Sequence, residues 1–190
     1  MARAVQKRTL ETRARLIAAA EEIIAEAGFE ALRVEEVVLR AGVAKGTFFA
    51  HFKDKEALMD LIIGARIDAL LNDLIGTSPQ SPEEMAEALT PLSAFMTSER
   101  YVFDVIIRYS GAAAVTEIGA IAMSFGKQEE VFTAWCEQGP FRTDINASLM
   151  AEGVQAFMIQ AISLQFCALH SSQSFRERLA PYLKAWLLPA

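Results

Sequence analysis

The sequence predicts an all-α protein. Apolar residues recur at intervals of three and four along most of the chain, which is the spacing of one face of an α-helix. Alternation of apolar and polar residues, the mark of a half-buried strand, never extends beyond a few positions. Glycine, proline and serine clusters divide the chain into segments of helical length. With 190 residues, 53% of them hydrophobic, the chain can bury a core. We expect nine helices, of which the first three are short.

The first predicted helix has a continuous apolar face from Leu16 to Ala27. Thr9 is its predicted N-cap, because a hydroxyl can accept a hydrogen bond from an unpaired N–H of the first turn. Gly28 is its predicted end, because glycine adopts the left-handed conformation that closes many helices.

Two shorter helices follow and are joined by a tight turn. The second has apolar residues at i, i+3, i+4 and i+7 from Val34 to Ala41, and Gly42 ends it. Gly42 permits the positive φ that the turn requires. The third helix runs from about Lys45 to His51. Two short helices joined in this way predict a helix-turn-helix, in which the second enters the major groove of DNA.

A long helix and five further helices follow. Asp54 is a predicted N-cap for a helix that continues toward Leu74, and residues 76–80 form the clearest loop in the chain. Pro82 opens the next helix at its first position, where a missing N–H costs nothing. The predicted helices of this part cover residues 82–97, 99–110, 113–138, 144–170 and 173–187.

Composition excludes several classes of protein. No apolar run reaches the roughly 18 residues of a membrane span, and no apolar signal core follows the N-terminus, so we expect a cytoplasmic protein that does not enter a membrane. Cys136 and Cys167 are predicted to be small hydrophobic residues, and no metal site or cofactor is expected. The net charge is −6, yet the first fifteen residues are basic, as expected for a segment that meets an anionic polymer. They hold Arg3, Lys7, Arg8, Arg13 and Arg15 against Glu11.

The third helix has the chemistry of a DNA reader. Phe48 and Phe52 are four residues apart and are predicted to face the core. The outward positions include no acidic residue, and the small ones let the backbone approach DNA closely. They are Lys45, Gly46, Thr47, Phe49 and Ala50. Residues that could hold phosphates beside the groove follow directly, namely His51, Lys53 and Lys55.

The run from Ala41 to Leu58, AGVAKGTFFAHFKDKEAL, resembles the signature of TetR-family regulators, and the helix ending at Gly28 fits that family too. The resemblance covers about 50 residues. It implies homodimers that bind near-palindromic double-stranded operator DNA and release it when a small-molecule effector enters the C-terminal body. It also implies two domains: residues 1–53, a three-helix DNA-binding domain, and residues 54–190, a six-helix effector-binding and dimerisation domain.

By position in the family motif, Lys45 and Thr47 face bases or nearby phosphates. Phe49, His51 and Lys55 occupy positions that usually grip the DNA backbone. Three residues depart from the family pattern. Phe49 replaces the usual tyrosine and lacks its hydroxyl. Ala44 replaces a common capping serine, which could cost ~1 kcal/mol of helix stability. Arg33 replaces a usual capping Thr or Ser, although its charge could itself reach a phosphate.

The family plan also predicts an effector pocket and a dimer interface in the C-terminal body. The pocket is expected to have mostly apolar walls with a few orienting polar groups. Its predicted lining is Phe95, Phe103, Ile107, Arg108, Met123, Trp135 and Phe157. The last helix has an apolar stripe too wide for an exposed helix, and the one before it is rich in small residues, so the two are expected to pair with their copies in a four-helix interface. Its predicted residues are Gly153, Leu179, Leu183 and Trp186.

A ligand-responsive regulator has two alternatives, an enzyme and a small-molecule-binding protein. An enzyme is unlikely because the chain has no glycine-rich phosphate loop, nucleophile elbow or cluster of histidine, cysteine and carboxylate residues. A dimeric helical protein that binds small molecules and keeps a vestigial helix-turn-helix is the other alternative. Phe49 and Ala44 motivate it. Salt-dependent binding to DNA fragments would separate it from a regulator.

Overall fold

A computed structural model of the chain describes residues 2–110, 118–166, 169 and 172–189. Within these residues it is all helical, as predicted, and contains ten helices. They are α1 (Ala2–Ala27), α2 (Val34–Arg40), α3 (Lys45–Phe49), α4 (Lys55–Leu74), α5 (Pro82–Ala88), α6 (Thr90–Met96), α7 (Arg100–Tyr109), α8 (Ala120–Gln138), α9 (Ala147–Gln165) and α10 (Phe175–Leu187).

Helix α1 is longer than the sequence predicted. It spans 26 residues from Ala2, so Thr9 lies inside the helix and is not its N-cap. The eight residues from Ala2 to Thr9 are mostly good helix formers and include neither glycine nor proline. Gly28 ends α1 as predicted, with a φ of +86°.

The body from α4 to α10 contains seven described helices where six were predicted. The predicted helix 82–97 is divided into α5 and α6 at Leu89, the C-cap of one and the N-cap of the other. Pro91 explains the division, because it has no N–H to donate to the preceding turn. The predicted start of α8 at 113, the predicted end of α9 at 170, and Cys167 lie outside the described residues.

Helix α4 connects the three N-terminal helices to the body and packs along α8. A Cβ atom on Gly64 would lie 2.6 Å from the backbone of Ala120, so the two helices approach closely only because this residue is glycine. Asp60 is buried in α4, and its carboxylate accepts hydrogen bonds from the backbone N–H groups of Ala120 (2.8 Å) and Ile121 (3.1 Å). The carboxylate thus caps the positive end of α8.

Helices α9 and α10 pack against each other within one chain. The indole N–H of Trp186 donates to the carbonyl oxygen of Met150 at 3.0 Å. A Cβ atom on Gly153 would lie 2.2 Å from that indole nitrogen, so Gly153 is covered by Trp186 of the same chain. Leu179 and Leu183 have no exposed surface and belong to the core. The wide apolar stripe of α10 is therefore explained largely by packing on α9 and α5.

Helix α9 is, by length and composition, apolar enough to cross a membrane, but it lies against α8 and α10 as one layer of the helical body. Only 33% of its most apolar 18-residue window is buried within the chain. Such a helix is also typical of the core of a soluble protein. The unburied part of α9 is a surface that the single chain leaves uncovered.

Candidate nucleic-acid interface

The turn between α2 and α3 has the predicted geometry. Gly42 has a φ of +65°, and the N–H of Val43 donates to the carbonyl oxygen of Val38 at 3.0 Å. Phe48 and Phe52 are buried with their ring centroids 5.5 Å apart. These contacts fix α3 on α2, so that one face of α3 stays outside the core.

The outward residues of this helix form a continuous surface, which we call the recognition surface: Lys45, Gly46, Thr47, Phe49 and Ala50. Thr47 is half-buried and the other four are exposed. Half of the surface of Phe49 is exposed, and its ring meets that of Phe48 edge to face, with centroids 5.3 Å apart. Ala44 is the N-cap of α3 and makes no side-chain hydrogen bond.

Lys45 is paired with a carboxylate when the chain is alone. Its ammonium group donates to Glu35 of α2 at 2.5 Å, and both side chains are exposed. The hydrogen bond from Lys45 lowers the pKa of Glu35. Lys45 must therefore leave Glu35 before it can contact a base or a phosphate.

The other predicted DNA-binding residues lie around the recognition surface. Arg33 is the N-cap of α2, and its guanidinium donates to the carbonyl oxygens of Glu30 (2.6 Å) and Leu32 (3.0 Å). His51 is half-buried and Lys53 is exposed, both just after α3. All of these are on the helix-turn-helix or its edge.

Lys55 points toward the body. Its ammonium nitrogen lies 4.7 Å from the ring centroid of Tyr101 in α7. Burial lowers the pKa of Lys55, and the positive charge of Arg33 adds to the effect. Lys55 therefore packs against α7 in the free chain.

The sequence did not predict two arginine contacts that hold the helix-turn-helix together. Arg13 of α1 donates to the carbonyl oxygen of His51 at 2.8 Å and lies 4.3 Å over the ring of Phe52. Arg40 of α2 makes a two-pronged contact with Glu26 of α1, each hydrogen bond 2.8 Å long. No local spacing reveals either long-range contact.

The predicted pocket residues are scattered over the body. Phe95 borders a groove of about 680 Å³ between α1, α4 and the α6–α7 junction, and Trp135 borders a cavity of about 240 Å³ where α4 ends beside α8. Phe103 is buried against Phe166, and Phe157 stacks on Tyr182. The other three are exposed: Ile107, Arg108 and Met123.

A row of polar groups lies buried on α8. Gln128 has no exposed surface, and neither its amide oxygen nor its amide nitrogen has a hydrogen-bond partner in the described part of the chain. The indole N–H of Trp135, two turns further on, also lacks one there. Burying such groups unpaired costs about 1–3 kcal/mol each, so they mark a place where a polar partner would be stabilising.

The fold and the recognition surface define a helix-turn-helix protein with a helical C-terminal body. Residues 16–62 match the family model of bacterial regulatory proteins of the tetR family. The N-terminal part of the chain is therefore similar to the DNA-binding region of TetR-family regulators. The match runs past residue 53, the predicted domain boundary, into α4.

Similar proteins agree with this assignment. The Bacillus subtilis HTH-type transcriptional regulator YvdT is 30% identical over 101 residues, which cover 52% of this chain and 52% of YvdT. The chain thus matches about half the length of that relative. Two solved structures share the fold. RolR, in complex with resorcinol, has a TM-score of 0.70 and 21% identity over 97% of this chain and 91% of RolR. The Thermus thermophilus repressor FadR, in complex with lauroyl-CoA, has a TM-score of 0.66 and 18% identity over 92% of each chain.

Proposed function

We propose that the chain is a cytoplasmic transcriptional repressor that binds palindromic operator DNA as a homodimer and is released by a small-molecule effector. The observation that carries this proposal is the recognition surface on α3. It is exposed, contains no carboxylate and places small residues beside Lys45 and Thr47. A helix of this kind fits the major groove, where side chains can reach base edges. We take residues 1–53 as the DNA-binding domain and 54–190 as the body.

The basic residues around α3 are proposed to bind phosphates. Lys53 is exposed at the end of the helix-turn-helix, and Arg33 and His51 flank the same face. Each phosphate contact releases condensed counterions, so affinity should fall steeply with salt. Lys53→Ala should weaken binding to all duplexes alike and flatten the salt slope by about one unit.

A homodimer is proposed to form through α9 and α10, but through residues other than those predicted from the sequence. Leu179 and Leu183 are buried in the core of their own chain, and Trp186 covers Gly153. The surface left uncovered, which we call the α9–α10 face, includes the exposed Leu149, Glu152, Ala156 and Gln160 and the half-buried Phe157 and Tyr182. Glu152 is the single charged residue in the sequence of α9. A face with so little charge favours association with a second copy.

Sedimentation tests the dimer. The unmodified chain should behave as a particle of about twice 20.9 kDa at micromolar concentration. Ala156→Glu places a charge in the middle of the proposed face and should shift the protein toward monomer. Ala94→Glu, at an exposed position of α6, is the matched control and should leave the dimer intact. A soluble monomer for the unmodified chain would contradict the proposal.

The effector is proposed to bind in the body near α8. The relatives RolR and FadR, whose structures contain resorcinol and lauroyl-CoA, share this fold. Neither the amide oxygen nor the NH₂ group of the buried Gln128 has a hydrogen-bond partner among the residues that the structure describes. A small, largely apolar molecule with a neutral polar group would satisfy them. A ligand of the folded form at a hundredfold excess over its Kd would raise stability by about 2.7 kcal/mol.

The alternative function is a helical small-molecule-binding protein whose helix-turn-helix no longer reads DNA. The Lys45–Glu35 ion pair and the missing hydroxyl at Phe49 favour it. Selection of genomic fragments by the full chain at low salt separates the two functions. A repressor should enrich a palindromic sequence whose half-sites are about one helical turn, roughly 34–36 Å, or a multiple of it apart. Recovery of no preferred sequence would favour the alternative.

A further inference from the structure

The loop that joins α1 to α2 is held by a carboxylate of the body. Glu99, at the start of α7, accepts a hydrogen bond from the N–H of Phe29 at 2.8 Å on one oxygen. Its other oxygen accepts from the N–H of Glu30 at 3.1 Å. The two partners are 70 and 69 residues away in sequence. We call this pair of hydrogen bonds the Glu99 clasp.

The geometry of the loop is suited to the clasp. Gly28 has a φ of +86°, and a Cβ atom there would lie 2.9 Å from the nearer oxygen of Glu99. The positive φ of the turn favours a glycine here. Successive N–H groups that point from a turn to one side bind an anion well.

Glu99 does not use its side chain to cap its own helix. It occupies the N-cap position of α7, yet its side chain makes no hydrogen bond to the N–H groups of its own helix. A side-chain oxygen at an N-cap normally satisfies one of those groups. Here both oxygens are directed to the DNA-binding domain instead. The contact joins two domains and does not serve the helix on which it sits.

One further contact crosses the same junction. The rings of Phe29 and Phe95 meet edge to face with centroids 6.0 Å apart. On the other side of α7, the guanidinium of Arg100 lies 5.3 Å from the ring centroid of Phe166, at the end of α9. The start of α7 therefore contacts both the DNA-binding domain and a helix of the proposed dimer.

We propose that Glu99 is a positioning residue that fixes the orientation of the helix-turn-helix on the body and so sets the distance between the two recognition surfaces of a dimer. This inference rests on the proposed function. Among the contacts between the domains, the clasp restricts their relative orientation most, because hydrogen bonds to a carboxylate are stronger and more directional than ring contacts. Binding to an operator whose half-sites have a different spacing would require the hydrogen bonds of the clasp to break.

The test compares Glu99→Gln with Glu84→Gln in the full chain. An amide retains one acceptor but turns an NH₂ group toward a second N–H donor, so one of the two clasp bonds is lost. Glu84 is a matched control, because its carboxylate also accepts from a backbone N–H, that of Gln80 at 2.8 Å, but within one domain. The probes are the duplex selected by the wild-type protein and copies with one or two base pairs inserted between its half-sites.

The wild-type chain and Glu84→Gln should bind the selected spacing more tightly than the altered ones. Glu99→Gln should lose about tenfold of that discrimination, the worth of one charge-assisted hydrogen bond, while affinity for unrelated DNA stays unchanged. Hydrogen exchange should speed up at the amides of Phe29 and Glu30 in this variant alone. Glu99→Asp, whose side chain is one methylene shorter, should behave similarly and serves if Glu99→Gln does not fold.

A spacing preference that stays within about twofold of wild type in a folded Glu99 variant would overturn the inference, as would unchanged exchange at both amides. If the chain is not a repressor that reads DNA, the result is different. The wild-type chain itself then shows no spacing preference, and the proposed positioning role is contradicted as well. Hydrogen exchange then still decides whether the clasp exists.

Discussion

The guanidinium of Arg13, near the middle of α1, donates to the carbonyl oxygen of His51, the second residue after α3, at 2.8 Å. It also lies over the ring of Phe52. A residue of the basic N-terminal segment thus stabilises the end of the recognition helix. It does so by satisfying a carbonyl group that the short helix cannot pair itself.

Arg13→Ala is expected to destabilise the fold. It removes a charge-assisted hydrogen bond and a cation–π contact, so the free energy of unfolding should fall by about 2 kcal/mol. Urea denaturation measures the change. Arg15→Ala, at an exposed position of the same helix, should stay within about 0.5 kcal/mol of wild type. Equal effects of the two variants would show that the Arg13 contacts contribute nothing.

Glu35→Gln is expected to tighten DNA binding. In the free chain Lys45 is paired with Glu35, and an amide holds an ammonium group less strongly than a carboxylate. The exposed pair contributes little to the fold, so stability should hardly change. Anisotropy titrations of a labelled duplex measure affinity. Glu21→Gln removes one negative charge from the exposed face of α1 and controls for net charge. An equal gain from both variants would exclude a specific release of Lys45.

Phe49→Tyr tests the departure from the family pattern. Because half of the side chain is exposed on α3, the added hydroxyl would not be buried without a partner. Affinity for operator DNA should increase by about 0.5–1.5 kcal/mol, the net worth of a hydrogen bond. Stability should stay unchanged. A loss of stability without any gain in affinity would mean that Phe49 serves only to cover Phe48.

Two helical glycines should respond in opposite ways to alanine. Gly64→Ala forces α4 away from the backbone of Ala120, which lies 2.6 Å from the new Cβ atom, and should destabilise the fold. Gly126 lies inside α8 with open space around it, so Gly126→Ala should add roughly 0.5–1 kcal/mol of stability. Thermal unfolding of both variants provides the comparison. Stabilisation by Gly64→Ala would contradict the close packing of α4 on α8.

Gln128→Met tests the effector site. Removing a buried amide that lacks a partner should raise the stability of the ligand-free protein by about 1–3 kcal/mol. An effector that raises the unfolding temperature of the wild-type protein should no longer raise that of this variant. Gln155→Met is the matched control. The amide of Gln155 already donates to the carbonyl oxygen of Phe125 at 3.1 Å, so its loss should destabilise instead. A destabilised Gln128→Met would indicate that a bound water or ion already satisfies the amide.

Local signals in the sequence predicted the features that depend on local geometry. Gly28 and Gly42 have positive φ, and the side chain of Asp54 caps α4 by accepting from the N–H of Ala57. Both glycines and the cap act within a few residues. The all-α class and the α2–α3 turn follow from the same kind of evidence.

Features that depend on contacts between distant segments could not be predicted. The burial of Leu179 and Leu183 depends on where α5 and α9 lie, and an apolar stripe looks the same whether it covers its own chain or a partner. The hydrogen bond that Arg13 donates to His51 and those that Glu99 accepts from the α1–α2 loop join residues that are far apart in sequence. Gln128, in turn, looks like an ordinary polar residue until its burial is known.

The most direct test of the central proposal is a titration of the full chain with its selected duplex and with a scrambled duplex of equal length, at a fixed physiological salt concentration. The wild-type protein should prefer the selected duplex by at least about a thousandfold. Lys45→Ala should weaken binding to that duplex by about 1–3 kcal/mol, the worth of a good base contact, and reduce affinity for the scrambled duplex much less. Equal affinity of the wild-type chain for both duplexes, unchanged by Lys45→Ala, would contradict a role of α3 in reading DNA.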